Sequence, residues 1–456
     1  MPKSPTESEL LSRHKCQEIF AAVQQAAIRA GVGEVEITLT ASKEALTRFA
    51  NNEIHQNVAE RSNVLSIRPV IGQRTARAST NRLHRDGIQA ALDEAVALTR
   101  LSEPLPDLLP LFGEAGETLY SCHSETAAGC TPADRASAVA RAIGVVEEFG
   151  QTAAGIYSTA ENVEALLNSN GVFRYYTDTL TQFSITAMSE DSSGWAKASS
   201  PVHESVDPVA LARKAALKAR LSANPAEVPP GNYTVVLEPA AVLDLVGQIF
   251  GDFSGTAVAD KRSFLNDREG DTVFGPNITI VDDVGHPLQN GAPFDGEGVL
   301  RQPLTLVSAG QPRDLAYSRA AAQKAGKPAT GHGFALPNDV GEAPVNIVMA
   351  GGNLSIDDLI RSTSEGILVT RLWYIREVEP YEKVMTGMTR DGTFRIRNGE
   401  VVGGLRNFRF NQSVVELLRN VESLSESVRA SGEEAFDMVV PALKAHGFGF
   451  TEVTKF

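Results

Sequence analysis

One stretch, residues 235–255, joins a strand to a helix through a single turn and therefore constrains the fold around it. The apolar run 235–237 predicts a buried strand. Pro239 follows, and proline is favoured in the first turn of a helix because the N–H that it lacks would be unpaired there. Apolar residues then recur at three- and four-residue spacing over 240–250, which predicts a helix with one face against the core.

The predicted helix contains two glycines, Gly247 and Gly251, four residues apart. Each destabilises a helix interior by roughly 1 kcal/mol relative to alanine. The pattern therefore predicts that a neighbouring element or a ligand approaches closely at both positions.

The whole chain predicts an α+β protein. Patterns before residue 226 indicate mixed sheets and helices, whereas the later part is rich in glycine, proline and short strands, which favours a strongly curved, barrel-like β-rich domain. Prolines cluster in 102–112 and 225–231 and mark two boundaries. The predicted domains are an N-terminal α/β region (1–112), a central α/β region that completes the N-terminal half (113–226) and a C-terminal β-rich domain (227–456).

Local signals predict where individual elements begin or turn. Thr131 and Asp207 each precede a proline and are predicted helix N-caps. The Asn-Asn pair at 51–52 and the Asn-Gly pair at 398–399 are predicted turns between strands.

The composition argues against several classes of function. A net charge of −14 disfavours a general nucleic-acid binder, which needs a basic surface, and docking on anionic membranes. Three cysteines are too few and too scattered for a disulfide framework and fit a reducing compartment. The sequence has no run of about 18 apolar residues and no apolar signal segment near residue 1, so we expect a cytoplasmic protein without a membrane span.

Two histidine-containing pairs lack the spacing that a reactive site would need. A metal site around His203 and Glu204 would need a second histidine at position 207, where the chain has Asp207, so a solvated loop is the preferred interpretation. Cys122 and His123 are adjacent in sequence, which does not make a catalytic dyad, and a surface turn is preferred.

Two further sites stay open. Asp282 and Asp283 end an apolar strand, where paired acids can bind metal or act as acid and base, although Asp-Asp-Val-Gly also suits a turn, which is preferred. His332 lies between two glycines and could approach a ligand, but exposure is preferred.

Arginines crowd the C-terminal β-rich region of this acidic protein, and some could contact a peptide carboxylate. Ordinary ion pairing on strand faces is the preferred interpretation. These arginines are Arg371, Arg376, Arg390, Arg395 and Arg397. The candidates for substrate binding are His332, Arg371 and Arg390.

Several phrases in a shared order resemble the TldD/PmbA (TldD/TldE) metallopeptidase family from about residue 35 to the end. The N-terminal phrase is RFANNEIHQN at 48–57. The C-terminal phrases are the stretch 235–255, SFL at 263–265, IVDDVG at 280–285, GGNLSIDDLI at 351–360, GILV at 366–369, TGMTRDG at 386–392 and IRNGEV at 396–401.

The resemblance implies a dimer that encloses a cavity in which extended peptides are cut. In the TldD branch one helix carries His-Glu-x-x-x-His, and a cysteine near the C-terminus is the third zinc ligand. This chain places Gly247 at the first His, Gln248 at the Glu and Asp252 at the second His, and its last cysteine is Cys130. The chain therefore resembles the PmbA/TldE branch without the zinc motif, and both glycines are predicted to be close-packing positions.

Three hypotheses follow from this resemblance. The first is a non-catalytic subunit that holds no cofactor, with zinc in a TldD-like partner, in a complex that processes unfolded or small peptides. The second is a homodimer that binds peptides without cutting them. The third is a hydrolase that uses Asp282, Asp283 or His332. Whether the chain is itself an enzyme stays open at this point.

Overall fold

The computed structural model describes residues 10–113, 121–268 and 270–454. Within these ranges the strands form two sheets, one from residues 34–200 and one from residues 231–453.

The N-terminal sheet consists of antiparallel strands drawn from both sides of the proline-rich segment 102–112. Its strands are β1 (Glu34–Ala50), β2 (Glu53–Ile71), β3 (Arg74–Thr75), β4 (Ala78–Thr80), β5 (Thr152–Asn168), β6 (Phe173–Met188) and β7 (Ser193–Ser200). Their order is β3-β2-β1-β5-β6-β7, with β4 also paired to β2. Asn51 and Asn52 have positive φ values of 52° and 61° and reverse the chain between β1 and β2, which confirms that predicted turn.

Helices cover this sheet and build two separate cores. They are α1 (Arg13–Arg29), α2 (Arg85–Leu101), α3 (Glu125–Ala128), α4 (Pro132–Glu148) and α5 (Pro208–Leu221). One core lies beneath α1 and α2, and the other lies beneath α4 and α5. The hydroxyl of Thr131 accepts the Asp134 N–H, and Asp207 accepts the Val209 N–H, so both predicted N-caps are confirmed.

The C-terminal domain has short strands at one edge and long strands in its centre. The strands are β8 (Gly231–Leu237), β9 (Ile280–Asp282), β10 (Leu304–Ser308), β11 (Gln311–Pro312), β12 (Ile347–Met349), β13 (Glu365–Glu379), β14 (Val384–Arg397), β15 (Glu400–Gly404), β16 (Phe408–Ser413), β17 (Val421–Ala430) and β18 (Met438–Val453). The helices are α6 (Pro239–Val246), α7 (Gly255–Ala259), α8 (Arg319–Ala325), α9 (Ile356–Arg361) and α10 (Val414–Arg419). Asn398 and Gly399, both with positive φ, form the predicted hairpin turn between β14 and β15.

Five of these strands close into a ring. β8 pairs with β13 on one side and with β18 on the other, and β14 and β16 complete the circuit between them. The α+β class and the barrel-like C-terminal domain are therefore confirmed. Helix α6 packs inside this domain, where residues 241–246 are all buried. None of the helices in the described ranges combines the length and apolar character needed to cross a bilayer.

Candidate functional site

The helix that follows β8 changes geometry at Gly247. Helix α6 ends at Val246, and a 3-10 helix covers Gly247–Phe253. The prediction of one continuous α-helix over 240–250 is therefore wrong. Because glycine stabilises an α-helix little, a change from α-helical to 3-10 hydrogen bonding at Gly247 costs little free energy.

The two glycines have different surroundings. A Cβ built on Gly247 would lie 2.5 Å from Cβ of Ala435 and 3.1 Å from Cε of Met438, so close packing is correct for this position. Gly251 is exposed, and a Cβ there would meet nothing within 4 Å. Close packing is therefore wrong for Gly251, because the 3-10 turn directs this residue towards solvent.

Gln248 and Asp252 are both engaged by neighbouring protein groups. The Gln248 side-chain amide donates to the carbonyl oxygen of Asp244 at 3.1 Å. Asp252 is buried, and its Oδ1 accepts the Phe264 N–H at 2.9 Å. Its Oδ2 lies 2.6 Å from Nζ of Lys383. A carboxylate held in this way is part of the core packing.

Lys383 joins Asp252 to a second acid. Its Nζ also lies 2.7 Å from a carboxylate oxygen of Glu377. Burial raises the pKa of Asp252, and Lys383 opposes that effect. Burial would lower the pKa of Lys383, but its two carboxylate partners raise it, so the ammonium stays charged.

The loop 431–437 packs over Gly247 and contacts both the C-terminal domain and the N-terminal sheet. Asp244, which is fully buried in α6, accepts the N–H groups of Glu433 at 3.2 Å and Glu434 at 2.9 Å. Lys197 of β7 donates to the carbonyl oxygen of Gly432 at 2.6 Å. The loop therefore contacts α6 and the N-terminal sheet at once.

Asp244 is the most perturbed acid in this region. Its Oδ2 is buried and has no hydrogen-bond partner. Burial raises the pKa of this carboxyl from 3.8 to about 7, against the opposing effect of the backbone N–H groups that it accepts. Sequence reasoning missed both Asp244 and the loop. The only feature of the sequence that could have indicated this site is the acidic Asp244 among the apolar residues of α6.

The residues at the zinc-motif positions do not fit a zinc ion. Catalytic zinc normally takes three protein ligands. Gly247 has no ligand atom, and the space beside it is filled by Ala435, while Asp252 is held by Lys383. Across the parts of the chain that the structure describes, no group of three or more His, Cys, Asp or Glu side chains is arranged to hold a metal.

His332 is buried, so the preferred interpretation of an exposed side chain is wrong. Its Nε2 lies 3.2 Å from Oδ1 of Asp282 at the end of β9, and both side chains are almost fully buried. Asp282 also accepts the N–H groups of Val345 at 2.6 Å and Asn346 at 2.9 Å. The loop around His332 folds onto β9, a contact that local sequence cannot reveal.

Asp282 and Asp283 have different roles. Burial would raise the pKa of Asp282, but the contact with His332 lowers it overall. Oδ1 of Asp283 accepts the Gly285 N–H at 2.9 Å, which is the turn geometry that was preferred for this pair. The two acids therefore do not share one site.

The two arginine candidates meet around a tryptophan. Arg371 is buried, with its guanidinium carbon 4.8 Å from the Trp195 ring centre and 5.6 Å from that of Trp373. Its Nε donates to Oδ2 of Asp391 at 2.9 Å. Arg390 is exposed and stacks on Trp373 at 4.9 Å. Arg371 is thus neutralised inside the protein, whereas Arg390 reaches solvent.

The surface-turn interpretation of Cys122 and His123 is also wrong. The His123 side chain is 6% exposed, and its Nε2 lies 3.2 Å from Oε1 of Glu161 on β5. Residue Cys122 forms a β-bridge with Asp178 on β6. His203 and Glu204, which were predicted to lie in a solvated loop, belong instead to a one-turn 3-10 helix that ends before α5 begins.

Comparisons with known proteins agree along the chain. Family models of PmbA/TldA metallopeptidases match residues 35–99 as their domain 1, residues 127–223 as their central domain and residues 230–452 as their C-terminal domain. Metalloprotease PmbA of Escherichia coli O157:H7 is 21% identical over 451 residues, which cover 94% of this chain and 96% of that protein.

Two further relatives match different shares of this chain. A metalloprotease of Methanothermobacter thermautotrophicus is 24% identical over 295 residues, and this match spans 60% of the chain and 62% of that protein. The crystal structure of TldE from Thermococcus kodakarensis superposes with a TM-score of 0.84 at 19% identity, covering 94% of this chain and 100% of that one. At this identity the superposition establishes a common fold. From these matches together, the chain belongs to the PmbA/TldD metallopeptidase family, on its PmbA/TldE branch.

Proposed function

We propose that this chain is the non-catalytic, TldE-like subunit of a cytoplasmic metalloprotease complex of the TldD/TldE type. A TldD-like partner supplies the zinc and the His-Glu-x-x-x-His helix. This chain completes the enclosed space in which unfolded or small peptides are cut.

One observation carries the proposal, namely the packing at the three zinc-motif positions. Gly247 supports the 431–437 loop, Gln248 donates to a backbone carbonyl oxygen of the preceding helix α6, and Asp252 forms a buried ion pair. Glutamine cannot act as the general base towards a metal-bound water, since it has no basic group. The segment therefore contributes packing where a catalytic subunit would contribute ligands.

The candidate peptide contacts differ in accessibility. Arg390 is exposed, whereas His332 and Arg371 are buried and have partners within the chain. Within the proposal, Arg390 on the face of Trp373 is the residue best placed to meet a peptide carboxylate. His332 and Arg371 would act on peptide binding only by supporting the surrounding loops and strands.

The test is co-expression with a TldD-like chain from the same genome. Zinc content and cleavage of an unfolded peptide are measured for each chain alone and for the co-purified pair. We expect zinc in the TldD-like chain, none bound stoichiometrically to this chain, and full cleavage only by the pair.

The control is the same pair with the glutamate of the partner's His-Glu-x-x-x-His motif changed to glutamine, which should abolish cleavage without dissociating the pair. Zinc-dependent peptide cleavage by this chain alone would contradict the proposal. Failure of the two chains to co-purify would also contradict it.

A further inference from the structure

A cavity of about 290 Å³ lies between helices α7 and α8 and the loop 334–341 of the C-terminal domain. Its walls are mostly apolar, with Ala321 and Ala325 from α8 and Phe334 and Leu336 from the loop. Since a water molecule occupies about 30 Å³ in the liquid, the cavity has room for roughly ten non-hydrogen atoms. None of the three zinc-motif positions lines it, so it is a separate site.

A buried carboxylate behind the walls holds them in place. Glu342 accepts the Ser254 hydroxyl at 2.6 Å and the Thr256 N–H at 2.8 Å through Oε1, and the Ser318 N–H at 3.1 Å through Oε2. Ser254 and Ser318 are the N-caps of α7 and α8. One side chain therefore fixes both helices relative to the loop. The cavity is preorganised, which lowers the conformational entropy that binding would cost.

Glu297 lines the cavity, and one of its carboxyl oxygens receives no hydrogen bond. Its side chain is 5% exposed, and its Oε1 accepts the Arg319 N–H at 2.9 Å. Within the described residues no group donates a hydrogen bond to Oε2, and Nη1 of Arg319 lies 3.9 Å from it. By contrast, the neighbouring Asp295 accepts the N–H groups of Glu297, Val299 and Gly333. Because buried polar groups normally have hydrogen-bond partners, Oε2 indicates a donor that comes from a ligand.

The charged groups at the open end of the cavity have partners of their own. Asp260 pairs with Arg262 at 3.0 Å, and Lys324 pairs with Asp107 at 2.8 Å. These two lining residues are exposed and carry opposite charges, so their fields largely cancel inside the cavity. The charge that a ligand inside would meet is that of Glu297.

The surroundings of Glu297 leave its charge incompletely compensated. Burial raises the pKa of Glu297 from 4.5 to about 7, and the nearby Asp295 raises it further. Arg319 and Arg68 are the cations that oppose this effect. An additional cation next to the carboxyl would stabilise its ionised form. The site therefore favours a positively charged donor over a neutral one.

We infer that this cavity binds a small primary amine with an apolar body. The ammonium group donates to Oε2 of Glu297, and the hydrocarbon part packs against Ala321, Phe334 and Leu336. An anion would be repelled by Glu297, and a purely apolar molecule would leave Oε2 without a partner. The volume suits a free amine of about ten non-hydrogen atoms rather than an extended peptide. The inference does not depend on the proposed protease complex, because binding is measured on this chain alone.

The test is isothermal titration calorimetry of the full chain with three probes of one shape, namely 2-phenylethylamine, 2-phenylethanol and phenylacetate. At pH 8 we expect saturable binding of one amine per chain. The alcohol should bind at least tenfold more weakly, and the anion should not bind. At pH 6 the free Glu297 is mostly protonated, so binding of the amine should release about one proton, seen as a heat that changes with the buffer. At pH 8 this release should be nearly absent.

Two variants locate the binding site within the chain. Glu297→Gln keeps an acceptor for the Arg319 N–H, and it should weaken amine binding at least tenfold and abolish the proton release. Ala321→Leu fills the cavity with a residue that favours helix, so it should abolish binding of the amine and of the alcohol. Glu400→Gln and Ala90→Leu, at exposed positions that do not line the cavity, are matched controls and should bind the amine like the wild type.

Three results would overturn the inference. The first is a wild type that shows no saturable binding of the amine. The second is equal binding of the amine and of phenylacetate, since the carboxyl of Glu297 would then not select the charge. The third is binding of the amine that persists unchanged in both Glu297→Gln and Ala321→Leu, which would place the amine elsewhere.

Discussion

Nζ of Lys383 lies 2.6 Å from Oδ2 of Asp252, inside the C-terminal domain. Asp252, which the family resemblance aligns with the second histidine of the zinc motif, is thus one half of a buried ion pair. Removing one partner of such a pair leaves an uncompensated charge, which typically destabilises a protein by about 3–5 kcal/mol. We expect Asp252→Ala to fall near the lower end, since Glu377 remains beside Lys383.

Denaturant unfolding of Asp252→Ala measures this effect. The matched control is Asp260→Ala, which removes an exposed aspartate paired with Arg262. Surface pairs contribute at most about 1 kcal/mol. Equal destabilisation by the two variants would contradict a structural role for Asp252.

The two glycines make a second prediction with an internal control. Gly247→Ala introduces a Cβ 2.5 Å from that of Ala435. Overpacking of this kind usually destabilises by about 1–3 kcal/mol. Gly251→Ala meets open space, so it should be neutral or stabilising by up to about 1 kcal/mol. Melting temperatures of both variants test this ordering, and the reverse ordering would refute the packing described around the 431–437 loop.

Asp244 predicts a pH dependence of stability. Its pKa rises from 3.8 to about 7 on folding, so the folded protein binds a proton more tightly than the unfolded chain. Stability should therefore fall as pH rises between these two values and then level off. The largest possible contribution is roughly 4 kcal/mol, since one pKa unit corresponds to about 1.4 kcal/mol.

Asp244→Asn isolates this contribution. The amide oxygen can still accept the Glu433 and Glu434 N–H groups, but the side chain cannot ionise. We expect the variant to match the wild type near pH 4 and to exceed its stability at pH 8. Melting temperatures across this pH range provide the measurement. A constant difference between the two proteins at every pH would show that Asp244 is ionised in the same way in both states.

Substitution by alanine should have a large effect on stability at Arg371 and a small one at Arg390. Arg371→Ala leaves Asp391 buried without its main partner and should destabilise by about 3 kcal/mol. Arg390→Ala removes an exposed cation and should change stability by less than about 1 kcal/mol. The chain has two tryptophans, Trp195 and Trp373, and both contact Arg371. Denaturant unfolding of both variants, followed by the fluorescence of these tryptophans, measures the two losses of stability, and equal losses would contradict the buried pairing of Arg371.

Short-range features of this fold could be predicted from the sequence. The caps at Thr131 and Asp207 and the turn at 398–399 depend on residues within three or four positions, and all are present. The glycines, prolines and short apolar runs after residue 226 likewise led to the correct fold class, because this composition is typical of a strongly curved β-rich domain.

Long-range contacts could not be predicted in the same way. The contact of Gly247 with Ala435 and the burial of His332 against Asp282 both join segments far apart in the sequence. The local sequence around either residue does not indicate which distant residue it will contact. The same reason explains why close packing was correctly predicted at Gly247 and wrongly predicted at Gly251. A glycine in the sequence does not show whether another segment approaches it in the folded protein.

The order of the strands in the ring has a consequence for synthesis. The strand β18 (Met438–Val453) comes after every other strand of the ring and pairs with β8, β12, β16 and β17, so the ring lacks a member until residues 438–453 are made. During translation the N-terminal sheet emerges first. The edge of β8 that pairs with β18 stays unpaired until β18 has been made. A premature stop codon that removes only β18 should therefore leave a soluble first half joined to a second half that aggregates or is degraded.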